Sequence, residues 1–276
     1  MEDATHVASA LERYAFEYKQ NIDAPHFLRS RKIVVNYFLR HLDPGSKVLD
    51  INCGTGIDVV EIAKRGHRVM GVDISSTMIS FATENIVKSG MASTAHVEVC
   101  DYRDLPEYGG PFDAVLSNFG GVNFVEDLGP IFSSVDRNLK DGGILVINSV
   151  SHFCLMESAI FLFSGNFSKA FRRLAGGKAR IGGKWVQLFY HRKNALVDAG
   201  AKFGYSLIDI FGLNILTPPL WANDFFAAHK KIGTRLEIID DGLRRVPVLR
   251  TIGDFMVVVF RKGAVAHNDG KRHVNS

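Results

Sequence analysis

The sequence is poor in cysteine and has no cluster of metal-ligating residues. Cys53, Cys100 and Cys154 are the only cysteines among 276 residues, and they form no CxxC pair and no Cys/His group. This spacing argues against a disulfide scaffold and against a zinc site. We therefore expect a reduced protein that holds no metal.

Long apolar runs and strong charge are also missing. An apolar stretch at residues 153–165 is too short to span a membrane and contains Glu157. The first 20 residues contain acids and no apolar core, unlike a signal peptide. We expect a cytoplasmic protein without an integral membrane segment. The net charge of +4 is too small to argue for a nucleic-acid partner.

Strand and helix patterns alternate between Ser46 and Val150. Short apolar runs such as SKVLDI, HRVMGVDI and GILVINSV are separated by segments with helical spacing. This alternation predicts βαβ units and a parallel sheet covered on both faces. Two helices, at residues 7–20 and 26–41, precede the sheet. After Val150 we expect one or two helices, a strand in GKWVQLFY, a further helix and two late strands.

The stretch KVLDINCGTGIDVV, residues 47–60, contains a strand, a glycine turn and the start of a helix. Asp50 closes the strand, and a carboxylate suits a cationic ligand better than a pyrophosphate. Val59 stands where a dinucleotide-binding turn needs a third glycine, and no Walker lysine follows. Asn52 stands where such turns usually carry glycine. Because asparagine tolerates a left-handed backbone, we expect a positive φ at Asn52.

Acidic and amide side chains follow the next strands. Asp73 ends the second strand, where a carboxylate can accept both hydroxyls of a ribose. Asp101 follows the third strand and could accept a hydrogen bond from an adenine amine. The fourth strand ends in SNFGG, which offers an amide, carbonyls and close backbone. Together these residues predict a pocket for adenosine with a cationic amino-acid tail.

The motifs VLDINCGTG, VDIS, VCDYRDL and FDAVLSNFGG resemble those of class I S-adenosylmethionine-dependent methyltransferases. The resemblance covers roughly residues 28–150 and extends to the late strand pair. It implies an α/β, Rossmann-like, doubly wound seven-stranded sheet, mostly parallel with an antiparallel C-terminal hairpin. It also implies N-terminal helices and a helical lid after strand five. The expected cofactor is S-adenosyl-L-methionine, with S-adenosyl-L-homocysteine as product.

The resemblance also implies which residues bind the cofactor. The candidates for the amino-acid end, the ribose, the adenine and the sulfonium side are Tyr14, Tyr18, Arg31, Asp50, Asn52, Cys53, Gly54, Gly56, Asp73, Ile74, Met78, Cys100, Asp101, Tyr102, Asn118 and Phe119. Tyr14 or Tyr18, with Arg31, is expected to bind the cofactor carboxylate. The implied parts are an N-terminal helical lid (1–45), a cofactor-binding core (46–150), a substrate lid (151–190), the C-terminal part of the sheet (191–262) and a disordered tail (263–276).

The methyl acceptor is less well specified. Gly120 and Gly121 follow Asn118 in place of the prolines of amino-methylating DNA enzymes, which argues against a DNA substrate. The lid sequence is apolar at first and then basic, which is typical of an anion-attracting lid, of a helix at a membrane surface, or of a packed helix with a solvated loop. His152 and His191 are candidate bases, and Asn123 is a candidate for orienting the acceptor.

We predict an S-adenosylmethionine-dependent methyltransferase that methylates oxygen or nitrogen of a small molecule by in-line transfer. A variant of this hypothesis has a peptide terminus or a carrier-bound intermediate as acceptor. The alternatives from other classes are an NAD-dependent oxidoreductase and a non-catalytic protein that binds S-adenosylmethionine. The sequence leaves the acceptor atom and the oligomeric state open.

Overall fold

The computed structural model describes residues 4–21, 24–108, 110–219 and 228–263. The α-helices in these ranges are α1 Ala4–Asn21, α2 Pro25–Leu39, α3 Ile57–Lys64, α4 Ser76–Lys88, α5 Gly129–Asn138, α6 Leu155–Phe163, α7 Phe167–Ala170, α8 Lys193–Ala201 and α9 Lys230–Leu243. The strands are β1 Lys47–Asp50, β2 Arg68–Asp73, β3 Ala95–Val99, β4 Phe112–Ser117, β5 Leu139–Val150, β6 Gly177–Ile181, β7 Lys184–Leu188, β8 Tyr205–Leu213 and β9 Phe255–Lys262. Short 3₁₀ turns lie at Tyr102–Asp104, Gly121–Phe124 and Leu249–Thr251.

Seven strands form one sheet in the order β3-β2-β1-β4-β5-β9-β8. The strands from β3 to β5 are parallel, and β9 runs antiparallel to both β5 and β8. This arrangement confirms the predicted fold class. The chain leaves β1 in one direction towards β2 and β3, and later returns on the other side of β1 as β4. Ligands bind at such a reversal, beyond the carboxyl ends of the strands.

The core lies on both faces of the sheet because neighbouring strand residues point in opposite directions. Val48 packs with Phe38 and Ile62 on one face, whereas Leu49 packs with Phe132 and Leu145 on the other. All of these side chains are buried. Strands buried on both faces need continuous apolar runs, which is why VVV in β9 and ILVI in β5 carry no polar alternation.

The segment after β5 differs from the predicted helical lid. Its first half contains α6 and α7, but its second half is a separate antiparallel hairpin of β6 and β7. The strand in GKWVQLFY is confirmed; its partner GKARI was missed because it lacks apolar and β-branched runs. A signal was present, since a two-residue Gly-Gly loop joins the strands. Gly182 and Gly183 both have positive φ, as the preferred hairpin turns require.

The hairpin packs against helix α1. A Cβ at Gly182 would lie 2.2 Å from the carbonyl oxygen of Ala10, so only glycine allows this approach. Lys184 Nζ donates to Ser9 Oγ at 2.7 Å, and Val186 is buried with Val7. The hairpin and α1 therefore form one wall beside the carboxyl ends of the strands.

Helices α6 and α7 are tied to β9 by a buried ion cluster. Arg173 is buried and donates to Glu157 Oε2 at 2.8 Å and to Asp254 Oδ1 at 2.7 Å. Arg172 adds a second pair of bonds to the same glutamate. Burial opposes the charge of Glu157, yet the hydrogen bonds from both arginines lower the pKa of this carboxyl to about 2. The cluster makes the start of the lid a rigid part of the structure.

The predicted domain boundaries stay predictions. The predicted disordered tail lies outside the described residues, apart from Gly263. None of the helices in the described ranges is both long enough and apolar enough to cross a membrane.

Candidate functional site

A cavity of about 390 Å³ lies at the carboxyl ends of β1 and β4, at the reversal of the sheet. It extends from the first glycine turn, past the ends of β2 and β3, to helix α1 and the β6–β7 hairpin. Most of the predicted cofactor residues line it, namely Tyr14, Tyr18, Arg31, Asn52, Cys53, Gly54, Asp73, Ile74, Met78, Asp101, Tyr102, Asn118 and Phe119. Asp50, Gly56 and Cys100 were predicted as well but are not part of the lining.

Asp50 lies just beneath the cavity, at the end of β1. It is buried, and its Oδ1 accepts a long hydrogen bond of 3.4 Å from the backbone N–H of Asn52. Its Oδ2 has no hydrogen-bond partner within the described part of the chain. Burial, with Asp58 nearby, raises the pKa of Asp50 well above its ordinary value. An incompletely satisfied buried carboxylate favours a cationic ligand.

The glycine turn shapes the floor of the cavity. Gly54 has a φ of 53° and donates its N–H to Asp73 Oδ2 at 3.0 Å. Gly56 has a φ of 75° and begins α3; a Cβ there would lie 2.8 Å from Cβ of Ala82. Both positions therefore need glycine. Cys53 donates its N–H to the carbonyl of Val72, and burial raises its thiol pKa well above the ordinary value, which fits packing rather than nucleophilic chemistry.

The expected positive φ at Asn52 is wrong. Within the described residues, positive φ outside glycine occurs only at Phe119 and Asn214. The Asn52 side chain instead joins two strand ends: Nδ2 donates to the Asn118 carbonyl at 2.6 Å, and Oδ1 accepts from Ser117 Oγ at 2.5 Å. The amide lies against Gly121, where a Cβ would come within 2.3 Å of Asn52 Cγ. The role of Asn52 is therefore not a left-handed backbone. Its side chain links the turn after β1 to the end of β4.

Asp73 is buried at the end of β2, and both of its carboxylate oxygens accept hydrogen bonds from backbone N–H groups. Oδ2 accepts from Gly54 N–H, and Oδ1 accepts from Ser75 N–H at 2.9 Å. Burial raises its pKa to about 6 despite these bonds. Each oxygen keeps a further lone pair for a ligand hydroxyl. Ile74 and Met78 line the cavity beside it, as predicted for an adenine neighbourhood.

At the end of β3, Asp101 is paired with Arg103, which the sequence did not indicate. Arg103 Nε lies 2.9 Å from Oδ1 and Nη2 lies 2.5 Å from Oδ2. Burial raises the pKa of Asp101, but the hydrogen bonds from Arg103 outweigh it and leave the pKa lowered. Tyr102 donates its hydroxyl to the Gly121 carbonyl at 2.8 Å, which joins this end to the loop after β4. Cys100 packs with the core on the face of the sheet that contains Leu49 and Phe132.

Arg31 already binds protein groups in a buried hydrogen-bonded network, which its predicted role toward the cofactor carboxylate did not include. Its Nη1 is 2.5 Å from Asp58 Oδ2, and its Nη2 donates to the Tyr18 hydroxyl at 2.7 Å. Burial opposes the charge of Arg31, but Asp58 outweighs this and raises its pKa above the ordinary value. Nε has no partner within the described ranges, so one buried donor is left for a ligand. Sequence reasoning missed Asp58, although it stands in the quoted motif.

The loop after β4 completes this wall. Asn118 donates from Nδ2 to Asp58 Oδ2 at 2.8 Å and accepts from Asn148 on β5. Phe119 has a φ of 55° and stacks on Phe27 with ring centroids 4.7 Å apart. The Arg31 guanidinium lies 4.7 Å from the centre of the Phe119 ring. Aromatic rings and a charge pair thus close the cavity between α2 and the loop.

The charges of this wall fit the expected cofactor. Three buried carboxylates, Asp50, Asp58 and Asp73, lie in or just beneath this part of the cavity, together with the buried guanidinium of Arg31. The excess of negative charge, the unpartnered Asp50 oxygen and the free Arg31 Nε match a ligand with a sulfonium, an ammonium and a carboxylate. Burial raises the pKa of Tyr18 to about 12, so this phenol stays neutral beside Arg31.

Two of the three residues predicted for catalysis, His191 and Asn123, contact backbone groups. His191 is buried, and its Nε2 lies 3.0 Å from the Val125 carbonyl and 3.2 Å from the Val122 carbonyl. A nitrogen between two carbonyl oxygens carries the proton, which leaves only Nδ1 of His191 to accept one, and a base role for His191 stays a prediction. His152 does not line the cavity, and burial with Arg192 nearby lowers its pKa. A base role for His152 stays a prediction.

Asn123 does line the cavity, but its amide is occupied. Nδ2 donates to the carbonyls of Phe189 at 2.7 Å and Val150 at 3.2 Å, and Oδ1 accepts from the backbone N–H of Val150 at 2.8 Å. It therefore joins the hairpin to the end of β5. Its predicted role as an acceptor-orienting group would require one of these bonds to break.

A protein family described as "Methyltransferase domain" matches residues 42–190, which is more than half of the chain. The chain belongs to this family. It therefore contains a methyltransferase domain, and the charges of its cavity agree with S-adenosylmethionine as the cofactor.

Individual relatives are more distant from this methyltransferase. The Bacillus subtilis protein YqeM is 33% identical over 114 residues, which cover 40% of this chain and 45% of that protein. Phosphoethanolamine N-methyltransferase 1 of Arabidopsis thaliana is 29% identical over 162 residues, which cover 58% of this chain and 32% of that protein. The chain thus spans less than half of the length of these two relatives.

A solved structure has the same fold. Geranyl diphosphate C-methyltransferase from Streptomyces coelicolor superposes with a TM-score of 0.57 and 20% identity, over 89% of this chain and 84% of that one.

In a methyltransferase, the cofactor supplies an electrophilic methyl group on a sulfonium, which leaves as a neutral thioether. The protein then has to hold the acceptor in line with the departing sulfur and to exclude water. In this cavity Asp73 and the glycine turn would hold the ribose end, while Tyr18, Phe119 and Arg31 would cover the other side. No proton needs to move among these groups.

The raised pKa of Asp73 predicts a pH dependence of cofactor binding. Because the ionised form accepts ribose hydroxyls best, the affinity for S-adenosyl-L-homocysteine should be constant above pH 6 and weaken as the pH falls through about 6. Because S-adenosyl-L-homocysteine lacks the sulfonium charge, its affinity depends less on the ionisation of Asp50 than the affinity for S-adenosyl-L-methionine does. Calorimetric titrations at several pH values measure this, with Asp73→Asn as control. The same step in Asp73→Asn would assign it to another carboxyl.

The contact between Asn52 and Gly121 predicts a rescue experiment. Gly121→Ala should lower stability by about 1–3 kcal/mol because the new Cβ overlaps the Asn52 amide. Asn52→Gly removes that amide, so the double variant should regain part of the loss despite the missing bridge. Urea unfolding of the parent, both single variants and the double variant measures this. Additive losses would contradict the account.

Proposed function

We propose that this methyltransferase methylates an oxygen or a nitrogen of a small, largely apolar molecule. The observation that carries the proposal is the character of the cavity beyond the cofactor wall. Its side chains there come from α1, from the turn after β4 and from the hairpin, and most of them are apolar: Val7, Leu11, Phe124, Val125, Ile181 and Leu188. An apolar wall of this kind takes an apolar ligand body.

The size of the cavity supports a small acceptor. About 390 Å³ lies near the lower end of the range for small-molecule sites, and the cofactor takes part of it. The names of two similar proteins agree with this size, since phosphoethanolamine and geranyl diphosphate are both small. These names differ in the methylated atom and so give no support for one atom over another.

The lining also supports an acceptor that needs no strong base. Within the described ranges, no histidine lines the cavity, and the lining carboxylates Asp58, Asp73 and Asp101 are all engaged on the cofactor wall. Acceptors of this kind are neutral amines and oxygens that are ionised at neutral pH. Arg180 lines the cavity at the hairpin and can attract an anionic oxygen.

The proposal is tested with methyl-labelled cofactor and a library of apolar phenols, carboxylic acids and amines, followed by mass spectrometry of the product. Leu188→Glu should raise the KM of the identified acceptor by about tenfold or more, since a leucine that a bound acceptor covers fully contributes about 1.5–3 kcal/mol. Its affinity for S-adenosyl-L-homocysteine should stay unchanged.

Trp185→Glu is the matched control. Trp185 lies on the same strand but is 62% exposed and does not line the cavity, so the KM should stay at the parent value. Equal KM values in both variants would contradict an apolar acceptor site at the hairpin. Labelling confined to peptide or carrier-protein fractions would contradict the small-molecule assignment.

A further inference from the structure

An exposed group of large apolar side chains lies at the start of the lid. We call it the aromatic platform, and its members with their exposed fractions are Leu162 (38%), Phe163 (94%), Phe167 (67%), Phe171 (46%) and Leu174 (49%). All five lie within residues 162–174, at the end of α6, in α7 and in the following turn. None of them lines the cavity. Contiguous exposed apolar side chains of this kind mark an interaction surface.

The polarity of helix α6 is reversed relative to an ordinary surface helix. Its buried residues are Glu157 and Ser158, whereas Leu162 and Phe163 point to solvent at its end. An ordinary surface helix would bury the apolar pair and expose the glutamate. The exposure is therefore built into the sequence of α6 and does not result from loose packing.

The buried side of α6 and α7 holds the platform in place. Glu157 binds both Arg172 and Arg173, and Arg173 continues to Asp254 beside β9. Ser158 Oγ donates to the Ala170 carbonyl at 2.7 Å and so joins the two helices. An arginine and two carboxylates in a buried cluster cannot turn outward to let the phenylalanines in without losing their partners.

The surroundings of the platform are basic. Between Glu157 and Asp198 the chain has no acidic residue, although the whole sequence contains 29. Lys169, Arg172, Lys178 and Arg180 are exposed in or directly after the platform. Exposed phenylalanine and leucine with lysine and arginine around them are the composition of segments that lie in the interface of an anionic bilayer.

We propose that the aromatic platform binds the surface of an anionic lipid bilayer, with its phenylalanines in the interface and the basic residues at the headgroups. This goes beyond the proposed function and does not depend on it. Charge argues against a second copy as the occupant, because a two-fold contact through this face would bring the basic residues of both copies together. Arg180, which is one of these basic residues, also lines the cavity.

The test is sedimentation of the full chain with vesicles, in the absence of any acceptor. Vesicles of phosphatidylcholine with about one third phosphatidylglycerol should pellet the chain, and pure phosphatidylcholine should pellet far less. Added salt should weaken the binding. The variant Phe163→Ser/Phe167→Ser should bind at least about tenfold more weakly, because it removes the two most exposed rings of the platform.

Ile238→Ser/Val248→Ser is the matched control, since these residues are 66% and 72% exposed outside the platform; its binding should equal that of the parent. An unchanged thermal shift by S-adenosyl-L-homocysteine in both double variants shows that they are folded. Equal pelleting of the platform variant and its control would overturn the proposal, as would equal pelleting with both vesicle types. A dimer that is lost in Phe163→Ser/Phe167→Ser, without vesicle binding by the parent, would assign the platform to a second copy.

Discussion

The buried ion pair between Arg31 and Asp58 holds the N-terminal helices against the first glycine turn. Arg31 comes from α2 and Asp58 from the first turn of α3, and the hydroxyl of Tyr18 and the amide of Asn118 are attached to the same pair. Removing one partner of such a pair costs about 3–5 kcal/mol because the other charge stays buried. The side of the cavity that we assign to the cofactor therefore forms only when α1 and α2 pack against the first glycine turn.

The ion pair compensates the charge of Asp58 but not that of the neighbouring carboxylates, and this difference determines the charge of the rest of the site. Asp58 is neutralised by Arg31, whereas Asp50 keeps an unpartnered oxygen and Asp73 keeps capacity beyond its two backbone donors. Burial makes both carboxylates expensive to ionise, and the charge of Arg31 offsets this only in part at Asp50, so a cationic nucleoside can relieve the remaining cost. Beyond this charged half most of the lining is apolar, and we propose that shape and apolar contact select the acceptor.

Local motifs of the sequence predicted the fold, and most of the cofactor residues that they indicate lie together at one cavity. Gly54 needs its positive φ, and Asp73 holds the turn through bonds to neighbours in one βαβ unit, so spacing alone indicates them. Contacts between distant segments were not visible. Asn52 bridges to Ser117 and Asn118, Arg31 pairs with Asp58, and His191 lies between carbonyls 66 and 69 residues away. Partner choice at such separations depends on tertiary packing, which periodicity does not encode.

The central claim is that one buried pair couples the N-terminal helices to cofactor binding. Calorimetric titration of S-adenosyl-L-homocysteine into Arg31→Met, Asp58→Leu and the double variant tests it most directly. We expect each single variant to bind much more weakly, because one charge stays buried without its partner. The double variant should bind no worse than the weaker single variant, which shows coupling. Near-normal affinity in either single variant, or losses that simply add in the double variant, would contradict the claim.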